Sequence, residues 1–367
     1  GAQFLGSARC LFGCWETKTK TQARTAVAGY LNLFFAVCFH AHCVLFFAFL
    51  LSSRFPMQAL LDSIAHMTLP TEVGRIFHGR GGLFPGCEHF SLDAYPPVLV
   101  LTSFAELEES AVAEIGAALE ARWAVIAPGE PLNWVLQIRL VGGQGSTQLM
   151  SGAVPEPHVV SEGGTKYGVH VLRGQNHGLF LDMAAGRQWV REHVAARRGD
   201  GCIGSFKVLN LFAYTCSFSV VALQAGASHV FNMDMSRGAL SSGQQNHRLN
   251  DVNKNASFLG HDVFSSWGKI TRTGPYQLII MDPPSFQKGS FVATKDYARL
   301  LRRLPDLLVP GGHALICLNA PELPESFIHE HVKAEAPELQ FVERVANPAT
   351  FADRDADRSL KVLVYRA

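Results

Sequence analysis

The chain has 367 residues, 48% of them hydrophobic and 17% charged, with a formal net charge of +1; this is an ordinary globular composition with room for two domains. The charge is uneven: residues 1–56 carry 5 basic and 1 acidic side chains, 57–160 carry 4 and 11, and 161–367 carry 23 and 19. So acidic a middle segment is a poor phosphate-binding surface, and nucleic-acid contact is expected mainly from the C-terminal part.

In the first 56 residues the stretch from Thr25 to Leu51 has no Asp, Glu, Lys or Arg and is long enough to span a bilayer. Lys18, Lys20 and Arg24 precede it, which would put the remainder on the far side of a membrane. The chain opens on Gly1 and has no methionine before Met57, where an amphipathic helix is expected (Leu60, Leu61, Ile64, Met67). Residues 1–56 are therefore expected to be an apolar leader, non-native or mis-assigned, with a membrane anchor as the second reading. Cys10, Cys14, Cys38 and Cys43 lie here, and Cys87, Cys202, Cys216 and Cys317 are scattered singly. No C-x-x-C pair exists, so neither a disulfide framework nor a metal site is expected, although Cys10, Cys14, His40, His42 and Cys43 can be imagined as one. Reduced thiols in the cytoplasm are the plain reading.

Residues 57–160 are expected to form a small α+β domain. Val98–Leu101 and Trp134–Leu140 read as strands, and Phe104 to Trp123 as a helix with a stripe of Leu107, Val112, Ile115 and Leu119. The loop from Phe77 to Gly86, dense in glycine and carrying His78 and Arg80, reads first as a turn needing positive φ and second as a nucleic-acid or substrate loop. Residues 161–198 are expected to hold a β-hairpin, with Tyr167–Leu172 pairing Leu179–Asp182 across a turn at 173–178, and a connecting helix over 184–196.

From Phe206 onward strand and helix alternate. Strands are expected at 206–212, 229–233, 256–259, 277–281, 313–318, 339–345 and 360–365, an α/β doubly wound, Rossmann-like sheet of seven strands over 199–367 with the last antiparallel. Ligands of such sheets sit outside the carboxyl ends of the strands. The first of these ends, Asn210 to Phe218, has no glycine, although a dinucleotide needs G-x-G-x-x-G for its pyrophosphate. A turn of small and hydroxylated residues (Ala213, Thr215, Cys216, Ser217) can instead cradle the methionine end of S-adenosylmethionine (SAM), which has no phosphate.

Three acids end the following strands. Asp234 stands where a carboxylate accepts both ribose hydroxyls of an adenosine; its bland alternative is a helix N-cap, which Ser236 can supply. Asp262 can accept from an adenine amino group, with the apolar side chains after it, Val263 first, walling the ring. Asp282-Pro283-Pro284-Ser285-Phe286 is the most specific short signal: two prolines remove two N–H donors and leave a rigid array of acceptors beside the methyl donor, with Phe286 as a stacking platform for an extruded base.

These stretches, with Gly174 to Asp182, Arg187 and Met233 to Arg237, resemble the class I SAM-dependent methyltransferases of the bacterial large-subunit ribosomal RNA group, which includes the 23S cytosine-C5 and guanine-N7 enzymes. The resemblance runs from about residue 160 to the end. It implies that Asp234, Met235, Asp262 and Val263 hold the adenosine. It further implies that the turn with Asn210, Phe212, Tyr214, Thr215, Cys216 and Ser217 holds the methionine moiety, and that Phe180, Asp182 and Arg187 close over the cofactor. The cytosine-C5 enzymes place a nucleophilic cysteine just past the fifth strand. Here Asn319 stands at that point, and Cys317, two residues earlier, reads as a core thiol. A guanine N7 or an exocyclic amine needs no covalent adduct and is favoured.

The expected protein is thus a SAM-dependent methyltransferase acting on large-subunit ribosomal RNA, with no metal and no membrane unless residues 25–51 are native. The alternatives are a methyltransferase of DNA adenine or protein glutamine, and a SAM-binding scaffold without catalysis.

Overall fold

The computed structural model describes residues 57–140, 142, 145–199, 205–287 and 291–367; the apolar run at 25–51 and the Cys10/Cys14/His40/His42/Cys43 arrangement lie outside them. Residues 59–367 form one compact unit. Among the described residues no helix is long and apolar enough to cross a membrane.

The expected helix after Met57 is Gln58–His66, which buries Leu60 and Ile64, spaced i, i+4 on one face. A five-stranded sheet follows, in the order β1 (Gly74–His78), β2 (Phe90–Tyr95), β3 (Val98–Ser103), β4 (Asn133–Ile138) and β5 (Ser146–Ser151). β3 and β4 run parallel, joined by the helix Glu109–Ile126, and the other neighbours are antiparallel. The helix begins later than its apolar stripe suggests, because the Ser103 hydroxyl turns the chain by accepting from the Ala105 amide and donating to the Ala105 carbonyl. In the glycine-rich loop both Gly82 (φ 72°) and Gly86 (φ 88°) are left-handed. Gly79 and Gly81 have a different reason: a Cβ would fall 1.8 Å from the Cys87 carbonyl oxygen at the first and 2.2 Å from that of Ala352 at the second.

The hairpin differs from the expected one. It pairs β6 (His158–Glu162) with β7 (Thr165–Val169) around Gly163 and Gly164, both with positive φ (52° and 76°), which suits a tight two-residue turn. Residues 173–178 do not return the chain as a strand; Leu181–Met183 is a single tight turn that enters the helix Ala184–Gly199.

The second sheet has seven strands. They are β8 (Lys207–Leu211), β9 (His229–Met233), β10 (Ala256–Leu259), β11 (Tyr276–Met281), β14 (Leu308–Leu318), β15 (Gln340–Arg344) and β16 (Lys361–Arg366), and a two-residue pair, β12 (Phe286–Gln287) with β13 (Phe291–Val292), lies between β11 and β14. Their order is β10-β9-β8-β11-β14-β16-β15, with β16 antiparallel to both neighbours and the rest parallel. β8 and β11 are near-continuous apolar runs because both faces are covered. One face packs Ile279, Met281 and Ile316 with Tyr297, Leu300 and Ile328; the other packs Val208, Ile280 and Cys317 with Val190, Val194 and Val221. A further cluster joins Val98, Val100 and Val135 of the first sheet to Val160, Tyr167 and Val169 of the hairpin and to Val220.

Glu162 on β6 accepts from Arg187 Nε and Nη2 at 2.6 and 2.7 Å, which ties the hairpin to the helix Ala184–Gly199. Arg187 is only 1% exposed. Glu162→Ala is expected to lower the unfolding free energy by about 3 kcal/mol, because it strands a buried guanidinium, and Glu162→Ala with Arg187→Met to recover most of that loss. Urea denaturation of the two variants checks this, and equal losses in both would refute it.

Candidate active site

The carboxyl ends of β8, β9, β10, β11 and β14 bring the site together. After β8, three alternate residues, Phe212 (φ 56°), Tyr214 (φ 45°) and Cys216 (φ 61°), occupy the left-handed region, a conformation that costs an L-residue roughly 1–2 kcal/mol. Strain of this kind persists only where the surroundings hold it. Here the Tyr214 amide donates to Asp234 Oδ2 at 2.8 Å and the Ala213 amide to the Met233 carbonyl at 3.0 Å, so the end of β9 clamps the turn. Asp234 Oδ1 accepts from the Ser236 amide at 2.7 Å. Ser236 caps the next helix, Arg237–Leu249, its hydroxyl accepting from the Ala239 amide, which leaves Asp234 outside the helix beside the crevice. Asp262 likewise steadies its own turn, accepting from the amides of Phe264 and Ser265.

A cavity of about 500 Å³ opens above these ends. It gathers Phe180, Asp182, Arg187, Phe212, Tyr214, Ser217, Asp234, Met235, Asp262, Val263, Asp282, Pro283, Pro284 and Asn319, all singled out in the sequence. The rings of Phe180 and Tyr214 stand 5.2 Å apart over it. Phe180 is 40% exposed and Met235 53%, two large apolar surfaces free to cover a planar ligand.

Among the described residues four carboxylates line this space, Asp182, Asp234, Asp262 and Asp282, against one basic side chain, Arg187, which is already engaged by Glu162. Burial raises the pKa of Asp182, partly offset by the positive charges of Arg75 and Arg187. Asp282 is pushed up to about 7, first by burial and then by the charge of Asp182, with Arg187 again offsetting in part. A cavity so supplied with carboxylates, and so short of free cations, is suited to a positively charged ligand with hydroxyl groups.

Three expected residues take other places. Asn210 is buried within the sheet and donates to Asn232 Oδ1 at 2.9 Å. The Thr215 hydroxyl donates to the Gly178 carbonyl at 2.6 Å, fastening the segment before Phe180 onto the turn. Cys216 is fully buried beneath the turn, where Gly243 of the helix Arg237–Leu249 leaves room for it: a Cβ at Gly243 would lie 2.5 Å from its sulfur. Their side chains support the crevice from behind, since a strand or turn residue facing the core cannot also face the ligand. The Phe286 side chain lies outside the described residues. Cys317 is fully buried among Val208, Ile280 and Val362, and burial and the charge of Asp282 raise its thiol pKa well above the ordinary value. Asn176, Met183 and Phe218 also line the cavity without having been singled out, together with Ser236, expected only as a helix cap, and Ser285, named only within the Asp282–Phe286 stretch. Asn176 and Phe218 stand inside the quoted stretches, whereas nothing in the sequence marks Glu162 as the partner of Arg187.

The S-adenosylmethionine-dependent methyltransferase family model matches residues 74–366. Curated relatives include the ribosomal RNA large subunit methyltransferase I of Aeromonas salmonicida, 33% identical over 196 residues, covering 52% of this chain and 47% of the relative. That of Photobacterium profundum is 32% identical over 214 residues, covering 55% of this chain and 51% of the relative. The chain thus spans about half the length of the curated relatives it matches. Among solved structures, SMU.776 complexed with SAH superposes with a TM-score of 0.68 at 24% identity, covering 84% of this chain and 79% of that one. The SAM-dependent methyltransferase from Agrobacterium tumefaciens gives 0.56 at 18% identity, covering 82% and 91%. The strand order, the carboxylate-lined crevice and a family match over four-fifths of the sequence agree: the chain belongs to the SAM-dependent methyltransferases.

Proposed function

We propose that this methyltransferase modifies a base of large-subunit ribosomal RNA, at guanine N7 or an exocyclic amine rather than at cytosine C5, in the cytoplasm. The observation that carries the reading is Asp282-Pro283-Pro284 at the end of β11, with a carboxylate of pKa about 7 facing the same cavity as Asp234, Asp262 and Asn319. The names of the curated relatives support the RNA class.

SAM supplies an electrophilic methyl group on a cationic sulfonium. Asp234 is placed to accept from ribose hydroxyls, Asp262 to accept from an adenine amine, and Met235 and Val263 to flank the ring. Asp182 and Asp282 supply negative potential at the charged end, with Phe180 and Tyr214 excluding water. Toward the acceptor, Asp282 and Asn319 offer oxygen acceptors that orient a lone pair. A carboxylate that ionises near neutrality either stabilises positive charge growing on a ring nitrogen or takes the proton that an amine sheds. The covalent route to cytosine C5 needs a thiolate. Among the described residues the free cysteines, Cys87, Cys216 and Cys317, are all buried, and burial raises each thiol pKa.

Asp234→Ala is expected to weaken SAM binding by more than about ten-fold. Asp282→Asn is expected to leave it within about ten-fold and to slow transfer by about a hundred-fold or more. Calorimetric SAM titration and radiolabel transfer to large-subunit ribosomal RNA measure the two. Undiminished transfer by Asp282→Asn refutes the role of that carboxylate, and label entering protein or DNA in place of ribosomal RNA refutes the substrate.

A second outcome concerns the ligand-free protein. A carboxyl whose folded pKa is raised holds its proton more tightly when folded, so its contribution is intact at low pH and is lost as pH rises from about 4 to about 7. Asp282→Asn is therefore expected to stabilise the fold by about 1–2 kcal/mol at pH 8, a figure reduced for the partial exposure of the group, and to change little at pH 4. Melting temperatures at the two pH values check the sign; destabilisation at pH 8 contradicts the assigned burial.

A further inference from the structure

A second cavity, of about 360 Å³, lies between the five-stranded sheet and the cofactor crevice and meets it at Asn176, Phe180, Asp182 and Asn319, which line both. Its walls hold four arginines, one of them the exposed Arg358, against the carboxylates of Asp93, Asp182 and Asp353, and most of that positive charge has an unexpected source. Residues 57–160 contain only four basic side chains, and three of them, Arg75, Arg80 and Arg139, line this one cavity. The fourth, Arg122, is bound to the Met67 carbonyl elsewhere.

The three arginines are not equivalent. Arg75 is neutralised by a two-pronged pair with Asp93 at 2.8 and 3.0 Å. Arg80 and Arg139 form no ion pair with any carboxylate among the described residues. Both guanidinium groups approach one ring, Phe104, at 4.1 and 6.0 Å from its centroid. Arg139 donates to Gln137 and to the Gln175 carbonyl, both neutral, whereas Arg80 makes no hydrogen bond to described protein atoms. Burial lowers the pKa of each; at Arg80 the charge of Arg75 lowers it further and Asp182 offsets in part, and at Arg139 Tyr95 and Asp93 offset in part while Arg80 and Arg75 lower it. Like charges held together on an aromatic floor are unfavourable until an anion joins them. In the same cavity His177 is 5% exposed and its Nε2 has no hydrogen-bond partner among the described residues. A buried, unpaired ring nitrogen is costly unless a ligand satisfies it.

We propose that this cavity seats the sugar and phosphate of the nucleotide being methylated. Arg80 and Arg139 bind its phosphodiester, His177 Nε2 meets a polar group of the same nucleotide, and the base passes between Phe180 and Asn319 to Asp282. The volume falls within the range of small-molecule sites. Two guanidinium groups match the paired oxygens of a phosphodiester. Entry through a separate basic pocket suits an enzyme that takes its base out of the stack. This assignment rests on the RNA reading above, and names the residues that seat its substrate.

The test uses the full chain and a fluorescein-labelled, mixed-sequence single-stranded RNA 12-mer, with anisotropy read across a salt series. Arg80→Ala and Arg139→Ala are each expected to weaken binding about ten-fold at low salt and to lower the log–log salt slope by about 0.7, the loss of one single-strand phosphate contact. Arg80→Lys retains the slope, because a lysine keeps the point charge. Lys254→Ala, which removes an exposed charge from the more basic C-terminal part, changes little. SAM affinity stays at the wild-type value in all four, which separates lost contact from lost fold. RNA binding that is unchanged in both alanine variants, or absent from the wild type, overturns the cavity assignment. Binding that depends on both arginines, from a wild type that methylates no ribosomal RNA, leaves the assignment standing and overturns the proposed function instead.

Discussion

Electroneutrality organises the active crevice. Asp182, Asp234, Asp262 and Asp282 stand around a space whose only basic lining residue among the described residues, Arg187, is held by Glu162. Crowding half-buried carboxylates together without free cations is unfavourable, and the raised pKa values of Asp182 and Asp282 register it. The sulfonium and amino groups of SAM carry the charge such a site lacks, so cofactor binding and relief of repulsion are one event. In the proposed function the same condition suits Asp282 to chemistry: a carboxylate that loses its proton near pH 7 is poised for acid–base work in a way that an ordinary surface aspartate is not.

The site also depends on a neutral support behind it. Asn210 donates to Asn232, Asn232 to Ser219 Oγ, Ser219 to His247 Nε2, and His247 Nδ1 to the Gly243 carbonyl, a chain that crosses from β8 through β9 to two helices. Each donor in this chain finds an acceptor only when His247 is neutral with its proton on Nδ1, and burial lowers its pKa accordingly. A fully satisfied buried network of this kind fixes a single arrangement of the elements it joins. It holds the helix Arg237–Leu249 so close to the turn that only glycine fits at position 243 over Cys216. The strained residues Phe212, Tyr214 and Cys216 are therefore braced by Asp234 on one side and by this helix on the other.

Much of this was legible in the sequence, for definite reasons. Buried parallel strands such as Leu278–Met281 are unbroken apolar runs, and their ends are marked by the acid that follows, so β8 to β11 and Asp234, Asp262 and Asp282 could be located together. The hairpin was displaced because Tyr167–Leu172 alternates as a strand should, while the Gly163-Gly164 turn that selects its true partner precedes it. Asn210, Thr215 and Cys216 lie in the right turn but face inward; a motif fixes position along the chain, and the direction of each side chain follows from a backbone with three left-handed residues. Long-range pairing, Glu162 with Arg187 or Thr165 with Gln224, has no local signature at all.

The charge tally by segment shows the same limit in another form. An excess of acids over residues 57–160 argues against phosphate binding only if the charges are spread, because a field depends on where charges sit and not on their sum. Folding sends most of the glutamates to the solvent face of the helix Glu109–Ile126 and to loops, and gathers three of the four arginines at one mouth. The two cavities that meet at Phe180, Asp182 and Asn319 consequently differ in character: among the described residues one sets four carboxylates against one guanidinium, the other four guanidinium groups against three carboxylates. Under the proposed function, that division serves a reaction between a cationic methyl donor and a polyanionic acceptor. Such a division keeps each proposed reactant from the other's site, and Asn319, which lines both cavities, stands where the two would meet.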